Sequence, residues 1–250
     1  MITEIPQLIS EPIATHKLRN ILASVDTMSC PHKLNFHLHT VYSDGKMQPE
    51  DIMQQAIAMH LSNLAITDHH AIAGYNLAKQ YLDHCISQSS DPEALPTLWS
   101  GIEVNASLIF TEVHILGYGF DPDHEAMQPY LQGKTTAGLD YQAISVIKAM
   151  HLAGGLAVLA HPARYRRSPE ELIPAAAALG IDGVETYYGY DSSDPWKPSP
   201  RQTEEIRQLA ESNGLLHTCG TDSHGLKINK RLYTKKIAYS LLRLKTHQSF

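Results

Sequence analysis

A chain of 250 residues with a net charge of −6 does not suit a protein whose main task is gripping long nucleic acid, which needs many cationic contacts to phosphate. Hydrophobic content of 43% against 18% charged is that of a soluble globular protein, and the length fits one large α/β unit. No apolar run could cross a bilayer, the N-terminus lacks the basic start and apolar block of a secretory signal, and Cys30, Cys85 and Cys219 form no CxxC pair. A reducing, cytoplasmic setting is therefore expected, with no membrane and no obligate protein partner evident.

Residues 1–30 carry no motif and read as an N-terminal extension, docked or partly mobile, ahead of a single domain over 31–250. A first β-type run at 33–38 is followed by Pro49, which can open a helix whose apolar face is Ile52, Met53, Ala56 and Ile57 at a 3.6-residue period. Further β-type runs fall at 63–67, 98–104 and 113–118, with a polar Ser/Gln/Pro stretch at 87–96. After the run at 156–160, Ser168-Pro169-Glu170-Glu171 is a capping box with proline at the first helical position, and Gly180 marks that helix's end. A run at 183–187 precedes a Pro/Ser/Asp loop at 191–200; Ser199-Pro200 then opens a helix that Gly214 closes, and 215–219 is the last run. Strand–helix repeats with near-continuous apolar strands imply a parallel sheet, and about seven of them imply a closed barrel in one domain.

The fifteen histidines matter for where they fall. His37 and His39 are two apart on the first run, so both can face one side of the strand. The second run ends Asp68-His69-His70, the third carries Glu103, the fourth His114, the fifth ends His161-Pro162, and the last leads to Asp222-Ser223-His224. Active sites of barrels lie at the ends of such strands. A lone histidine on an apolar strand is usually a hydrogen-bonded core residue. Acids and imidazoles on successive strand ends are another matter, because burying so many polar groups without a shared ligand is costly.

The segments HLHTVYSDG, ITDHH, GIEV, VHILGYGFD, LAHPARY and GTDSHG, in this order over roughly residues 34–225, resemble the PHP (polymerase and histidinol phosphatase) superfamily. The resemblance implies an α/β fold of the distorted (β/α)7 barrel type, holding two or three divalent metals and cleaving phosphate esters. Carried over position by position, one metal would sit on His37, His39, Glu103 and Asp222. A second would share Glu103 and take His114 and His161. A third would take Asp44, His69 and His224. LAHPARY followed by a capped helix, with VHILGYGFD, is closest to the branch acting on nucleoside 3′,5′-bisphosphates and RNA ends. The helical insertion which that branch carries between the His114 and His161 strands, and which helps enclose substrate, is missing.

Imidazole and carboxylate donors without thiolate suit Mn, Zn or Fe. Closely spaced ions of that kind can ionise a bridging water near neutral pH, giving a metal-activated hydroxide to attack phosphorus, and Glu103 has two oxygens to bridge two ions. Glu103, His161, Asp222 and Arg164 are thus expected to be catalytic. Arg164 is expected to fork onto a substrate phosphate remote from the one cleaved, with Arg166 and Arg167 in a basic loop behind it. Asp68 could orient a ligating histidine or cap its loop, and His70 could touch substrate or lie at the surface. Glu185 is expected to support a ligand. Tyr187, Tyr188, Tyr190 and Trp196 could form a base-stacking surface but fit core and loop packing better. His60, His84, His124, His151 and His217 have no expected role. The substrate is expected to be a small phosphorylated molecule, with a nucleotide or a short RNA or DNA end the leading class. Histidinol-phosphate hydrolysis and a non-catalytic, metal-stabilised regulatory module are the rival readings.

Overall fold

A computed structural model describes residues 12–230 apart from 192. Residues 1–11 of the expected extension and 231–250 of the expected domain lie outside the described residues. The fold is mixed α/β and contains two sheets. The first is parallel and short-stranded, in the order β1 (Leu34–Asn35), β2 (Asn63–Ala65), β3 (Thr97–Trp99). The second runs β4 (Gly101–Leu108), β5 (Thr111–Tyr118), β6 (Leu156–Leu159), β7 (Gly183–Tyr187), β8 (Leu216–Cys219). Backbone bonds join the sheets on both flanks. Phe36 N–H donates to Cys219 O at 3.0 Å on one side, and Glu103 N–H donates to Asp68 O at 3.2 Å on the other.

Two expectations change here. The run at 98–104 is two strands, broken at Ser100, whose hydroxyl donates to Phe120 O at 2.6 Å. Gly101 restarts the chain against Ile66; a Cβ there would meet Ile66 O at 2.3 Å. The second sheet is also not uniformly parallel. β5 is antiparallel to both β4 and β6, because only Ile109 and Phe110 connect β4 to β5 and a two-residue loop allows no crossover. The laddered strands form these two sheets rather than one closed ring.

The Ile109-Phe110 loop has φ of 43° and 62°, the all-positive pattern of a type I′ hairpin. Such loops favour Asn-Gly, and a left-handed conformation costs a residue with a side chain about 1–2 kcal/mol. A β-branched residue there is a true outlier.

Among the described residues, six α-helices pack with the sheets: α1 (Ile13–Leu22), α2 (Pro49–Ala58), α3 (Ala73–Gln88), α4 (Ala143–Leu152), α5 (Pro169–Ala178) and α6 (Pro200–Ser212). Both halves of the α5 capping box are made, with Ser168 N–H donating to Glu171 Oε2 at 3.2 Å. Met53, Leu64, Ile66 and Leu82 pack α2 and α3 on the first sheet. Val146, Met150, Leu172 and Ile206 pack α4, α5 and α6 on the outer face of the second, against Ile102, Val104, Val113 and Ile115. None of the described helices is long and apolar enough to cross a membrane.

The space between the sheets is filled at one end by α1. Leu18 and Leu22 are fully buried with Phe36, Leu116, Tyr118, Leu156 and Val158. Arg19 Nη2 meets Asp182 Oδ1 at 2.6 Å, and the other Asp182 oxygen accepts from Ala157 N–H and from His151 Nε2, each at 2.8 Å. Helix α1 is therefore a plug at the strand ends opposite the histidines, not an arm. Leu18→Ala should lower unfolding stability by about 2–5 kcal/mol, the cost of a cavity in a packed core. Ile13→Ala, at a position 91% exposed, should shift it by about 0.5 kcal/mol or less. Urea denaturation of the two variants decides between plug and arm.

Candidate metal centre

The segments leaving β1, β2, β6 and β8 are forced into close approach. Gly220 passes the exit of β1 so tightly that a Cβ would lie 2.1 Å from His37 Cβ. Asn35 and Thr221 lock that approach: Asn35 Nδ2 donates to Thr221 Oγ1 at 3.0 Å, and Thr221 N–H donates back to Asn35 Oδ1 at 3.1 Å. Asp222 and His161 then take φ of 51° and 27°, strained values that aim both side chains inward. Asp68, fully buried, accepts from Thr40 N–H at 2.7 Å and from the Thr40 and Ser43 hydroxyls, each at 2.6 Å. It holds the loop that carries Asp44 and does not orient an imidazole.

Glu103, only 1% exposed, is the centre of the site. His114 Nδ1 lies 2.6 Å and His161 Nε2 3.2 Å from Oε1; His37, His39 and His69 present Nε2 at 3.1, 3.2 and 3.4 Å from Oε2. Asp222 Oδ1 is 3.2 Å from His39 Nε2 and 3.4 Å from His37 Nε2. At the rim Asp44, whose side chain is 58% exposed, meets His224 Nε2 at 3.1 Å. Three donor groups result, each with ligand atoms within 4.8 Å of one another: His37, His39, Glu103 and Asp222; His69, Glu103 and His114; and His39, Asp44, His69 and His224.

Every expected ligand is thus in one cluster, with the grouping altered. The first set is as expected. His69 bridges the other two, His39 joins the third, and His161 stands beside Glu103 outside the three groups.

Burial pulls the His39 pKa down, but Asp222 and Glu103 outweigh it and hold the ring up to about 10. Burial takes His69 down to about 4 and His161 down to about 3. Burial opposes ionisation of Asp44, yet His224 and His39 bring it down to about 2. Both ring nitrogens of His39 and Nδ1 of His69 and His161 are buried without a hydrogen-bond partner. Proteins rarely leave such atoms unsatisfied, and neutral imidazole with carboxylate is the donor chemistry of divalent transition metals. The residues fit metal ions.

Supporting contacts surround the donors. Glu185, fully buried, takes His37 Nδ1 at 2.8 Å and accepts from His161 N–H at 2.9 Å, which leaves His37 Nε2 aimed at the cluster. The Tyr188 hydroxyl donates to Asp222 Oδ2 at 2.6 Å. Arg164 Nη1 lies 3.1 Å from the same oxygen, which places this arginine beside the cluster. Tyr165 Oη accepts from His114 N–H at 2.7 Å and donates to Ala160 O at 3.2 Å, joining two donor strands.

His70 is buried, with Nε2 accepting from Asn105 N–H at 3.2 Å; it steadies β4 and is not a surface residue. Tyr187 and Trp196 are core residues. Tyr190 is partly buried beside the helical core, with its ring centroid 4.7 Å from that of Tyr188. Arg167 donates to Ile109 O at 3.0 Å and pairs with Glu171. Of the histidines given no role, His151 anchors Asp182, His217 contacts the Thr186 hydroxyl and His124 caps Ala126 N–H.

The bond of Tyr188 to Asp222, the bridging role of Tyr165 and the connection of Arg164 to Asp222 escaped the sequence reading. An irregularity between Glu185 and Tyr187 shifts the strand's alternation just before Tyr188, so counting by twos misplaces it.

Residues 35–235 match the PHP domain family model. A 5′-3′ exoribonuclease of Salmonella typhimurium is 34% identical over 101 residues, covering 40% of this chain; the chain spans only 32% of that relative's length. A 3′,5′-nucleoside bisphosphate phosphatase of Chromobacterium violaceum is 24% identical over 76% of this chain and 87% of its own. Among solved structures, one described as an amidohydrolase from Chromobacterium violaceum with bound sulfate superposes with a TM-score of 0.63 at 19% identity, over 85% of this chain and 96% of that one. With the family model matched from the first donor strand to beyond the last, this chain belongs to the PHP domain family.

Proposed function

We propose that the chain is a metal-dependent phosphoesterase acting on a nucleotide or on the end of a short nucleic acid strand. The observation that carries this reading is Glu103, a buried carboxylate faced by five imidazoles, several with unpaired ring nitrogens, at the open end of the fold. We read the two sheets as arcs of a distorted (β/α)7 barrel. The three cysteines are free thiols, as a cytoplasmic enzyme would keep them. The substrate class is drawn from the relatives, whose names specify RNA and nucleoside bisphosphates.

His37, His39, Glu103 and Asp222 would hold one ion, His69, Glu103 and His114 a second with His161 close by, and Asp44, His224 and the shared His39 and His69 a third. Divalent ions bound there supply a nucleophile from water near neutral pH and charge to offset the phosphate oxygens. The protein's own part is orientation. Glu185 fixes the His37 ring, Tyr188 fixes Asp222, and Arg164 adds a guanidinium beside Asp222 where negative charge on a reacting phosphate would grow.

Elemental analysis should find two or three divalent ions per chain, among Mn, Zn and Fe. Less than one equivalent after reconstitution would remove the reading. Activity should then appear in a screen of nucleoside 3′,5′-bisphosphates, short RNA, aryl phosphates and histidinol phosphate.

Glu103→Gln should lower kcat by at least about a hundredfold, as losing preorganised charge at a reacting centre does. His151→Ala should leave kcat near wild type while lowering stability, since its partner Asp182 anchors α1 from outside the cluster. Equal kcat losses in both would mean the wrong residues have been placed at the reacting centre.

Arg164→Ala should lower kcat on a bisphosphate and on an aryl phosphate alike. A KM effect confined to the bisphosphate would instead put this guanidinium on a remote phosphate.

A further inference from the structure

The hairpin between β4 and β5 carries a feature that the cluster does not use. Phe110 at its tip is 99% exposed, the extreme case of an aromatic side chain offered to solvent. It has positive φ, as does the β-branched Ile109 beside it. Asn-Gly would make this turn without strain, so the conformation displays a large apolar side chain at some cost to the fold.

The hairpin also has a definite place. β4 rises from Gly101, beside the α1 plug, past Glu103 in the cluster; β5 returns through His114. The tip therefore stands beyond the cluster on the side where β4 leaves it, held by Arg167 on Ile109 O. His114 is four residue steps on from Phe110, and at roughly 3.4 Å a step the tip stands about 14 Å from the cluster along β5. A nucleotide anchored there by its reacting phosphate does not extend that far, whereas the next units of a strand do.

The loop that runs from the cluster to the tip carries three arginines, two of them ion-paired, Arg164 with Asp222 and Arg167 with Glu171. Arg164 is bound to Asp222 at one end, Arg167 to the Ile109 carbonyl at the other, and Arg166 lies exposed between them. Glu171 is offset by Arg167, Glu112 keeps its charge while accepting the Tyr141 hydroxyl, and Arg166 is the exposed cation. A backbone of negative phosphates bearing flat apolar bases matches that surface, since bases stack on an aromatic face whatever their sequence.

We propose that the β4–β5 hairpin is a stacking platform for single-stranded RNA whose terminal phosphoester lies at the metal cluster, with Phe110 taking a base and Arg166 a phosphate. The platform rests on the phosphoesterase reading and narrows its substrate to an oligonucleotide, with single nucleotides the smaller case.

Equilibrium binding of fluorescent single-stranded RNA to the whole protein, with metals chelated, tests the platform without turnover. Phe110→Ala should weaken binding about fivefold to a hundredfold, the range for losing one base–aromatic stack, and Phe110→Trp should restore it. Duplex RNA of the same sequence should bind more weakly than the single strand, its bases being already stacked on each other. Arg166→Ala should lower the salt dependence by roughly one phosphate contact, about 0.7 in the log–log slope.

Wild type and Phe110→Ala binding the strand equally would overturn the platform, even in an enzyme that cleaves phosphate esters well. So would a concentration-dependent dimer abolished by Phe110→Ala with RNA binding unchanged, which would make the tip a contact between copies. Failure of the phosphoesterase reading looks different: no ester is cleaved by the metal-loaded protein, whatever the strand binding shows.

Discussion

Glu103 is a carboxylate taken out of water and ringed by imidazoles from three separate strand exits and from its own neighbour strand β5. An isolated charge in such a place costs several kcal/mol even after the surroundings relax. Here the nearby histidines hold it well below the usual carboxylate range, against a burial that pushes it up. The compensation depends on position, because each imidazole must stay within about 3.5 Å and the two carboxylates must not crowd each other. The tight passage of Gly220 past His37, the positive φ at Asp222 and His161, and the lock between Asn35 and Thr221 all serve that requirement. Such strain persists only where packing over-determines it. The dense core on the outer face of the second sheet does so for β6, and α1 does so from the far end.

The same constraint explains why the sheets depart from a regular barrel. A uniform set of parallel strands would give each strand end the same standing at the mouth. β5 instead enters from the opposite direction, so His114 lies within its strand beside Glu103 and needs no strand end to reach the cluster. The cost is a tight reversal, concentrated at Ile109 and Phe110. The short strands β1 and β2 have little ladder of their own, and the bonds of Phe36 to Cys219 and of Glu103 to Asp68 tie them to the second sheet. The fold is held together most firmly where the donors converge.

Most of the donor set was legible because it obeys local rules. His37 and His39 alternate on one strand, Asp222 and His224 follow another, and Ser168 with Glu171 spells out a helix start. Orientation was less legible. Nothing in Ile109-Phe110 signals a hairpin, so the antiparallel pair was read as two parallel strands. The break at Ser100 depends on a bond to Phe120, far along the chain, which no local pattern announces. Tyr188 was hidden by an irregular strand, and the use of Arg164 by the folding of its loop back onto Asp222. Helix α1 lacks a motif because its task is to fill space, and filling space leaves only an amphipathic trace.

Charge resolves the remaining tension between a net −6 chain and a phosphate substrate. Attraction at long range follows net charge, but salt screens it within roughly 8–10 Å. Inside that distance local groups decide, and the acids of the site are committed: Glu103 and Asp222 to imidazoles, Glu185 to His37, Asp44 to His224. Divalent ions on this donor set would turn the centre positive, and Arg164 already stands beside it. The overall acidity then works as a selector. It disfavours the long polyanions that a basic surface would hold at any point along their length; under the proposed function it would spare a strand end, which offers a terminal phosphate to a metal-loaded centre and few phosphates elsewhere.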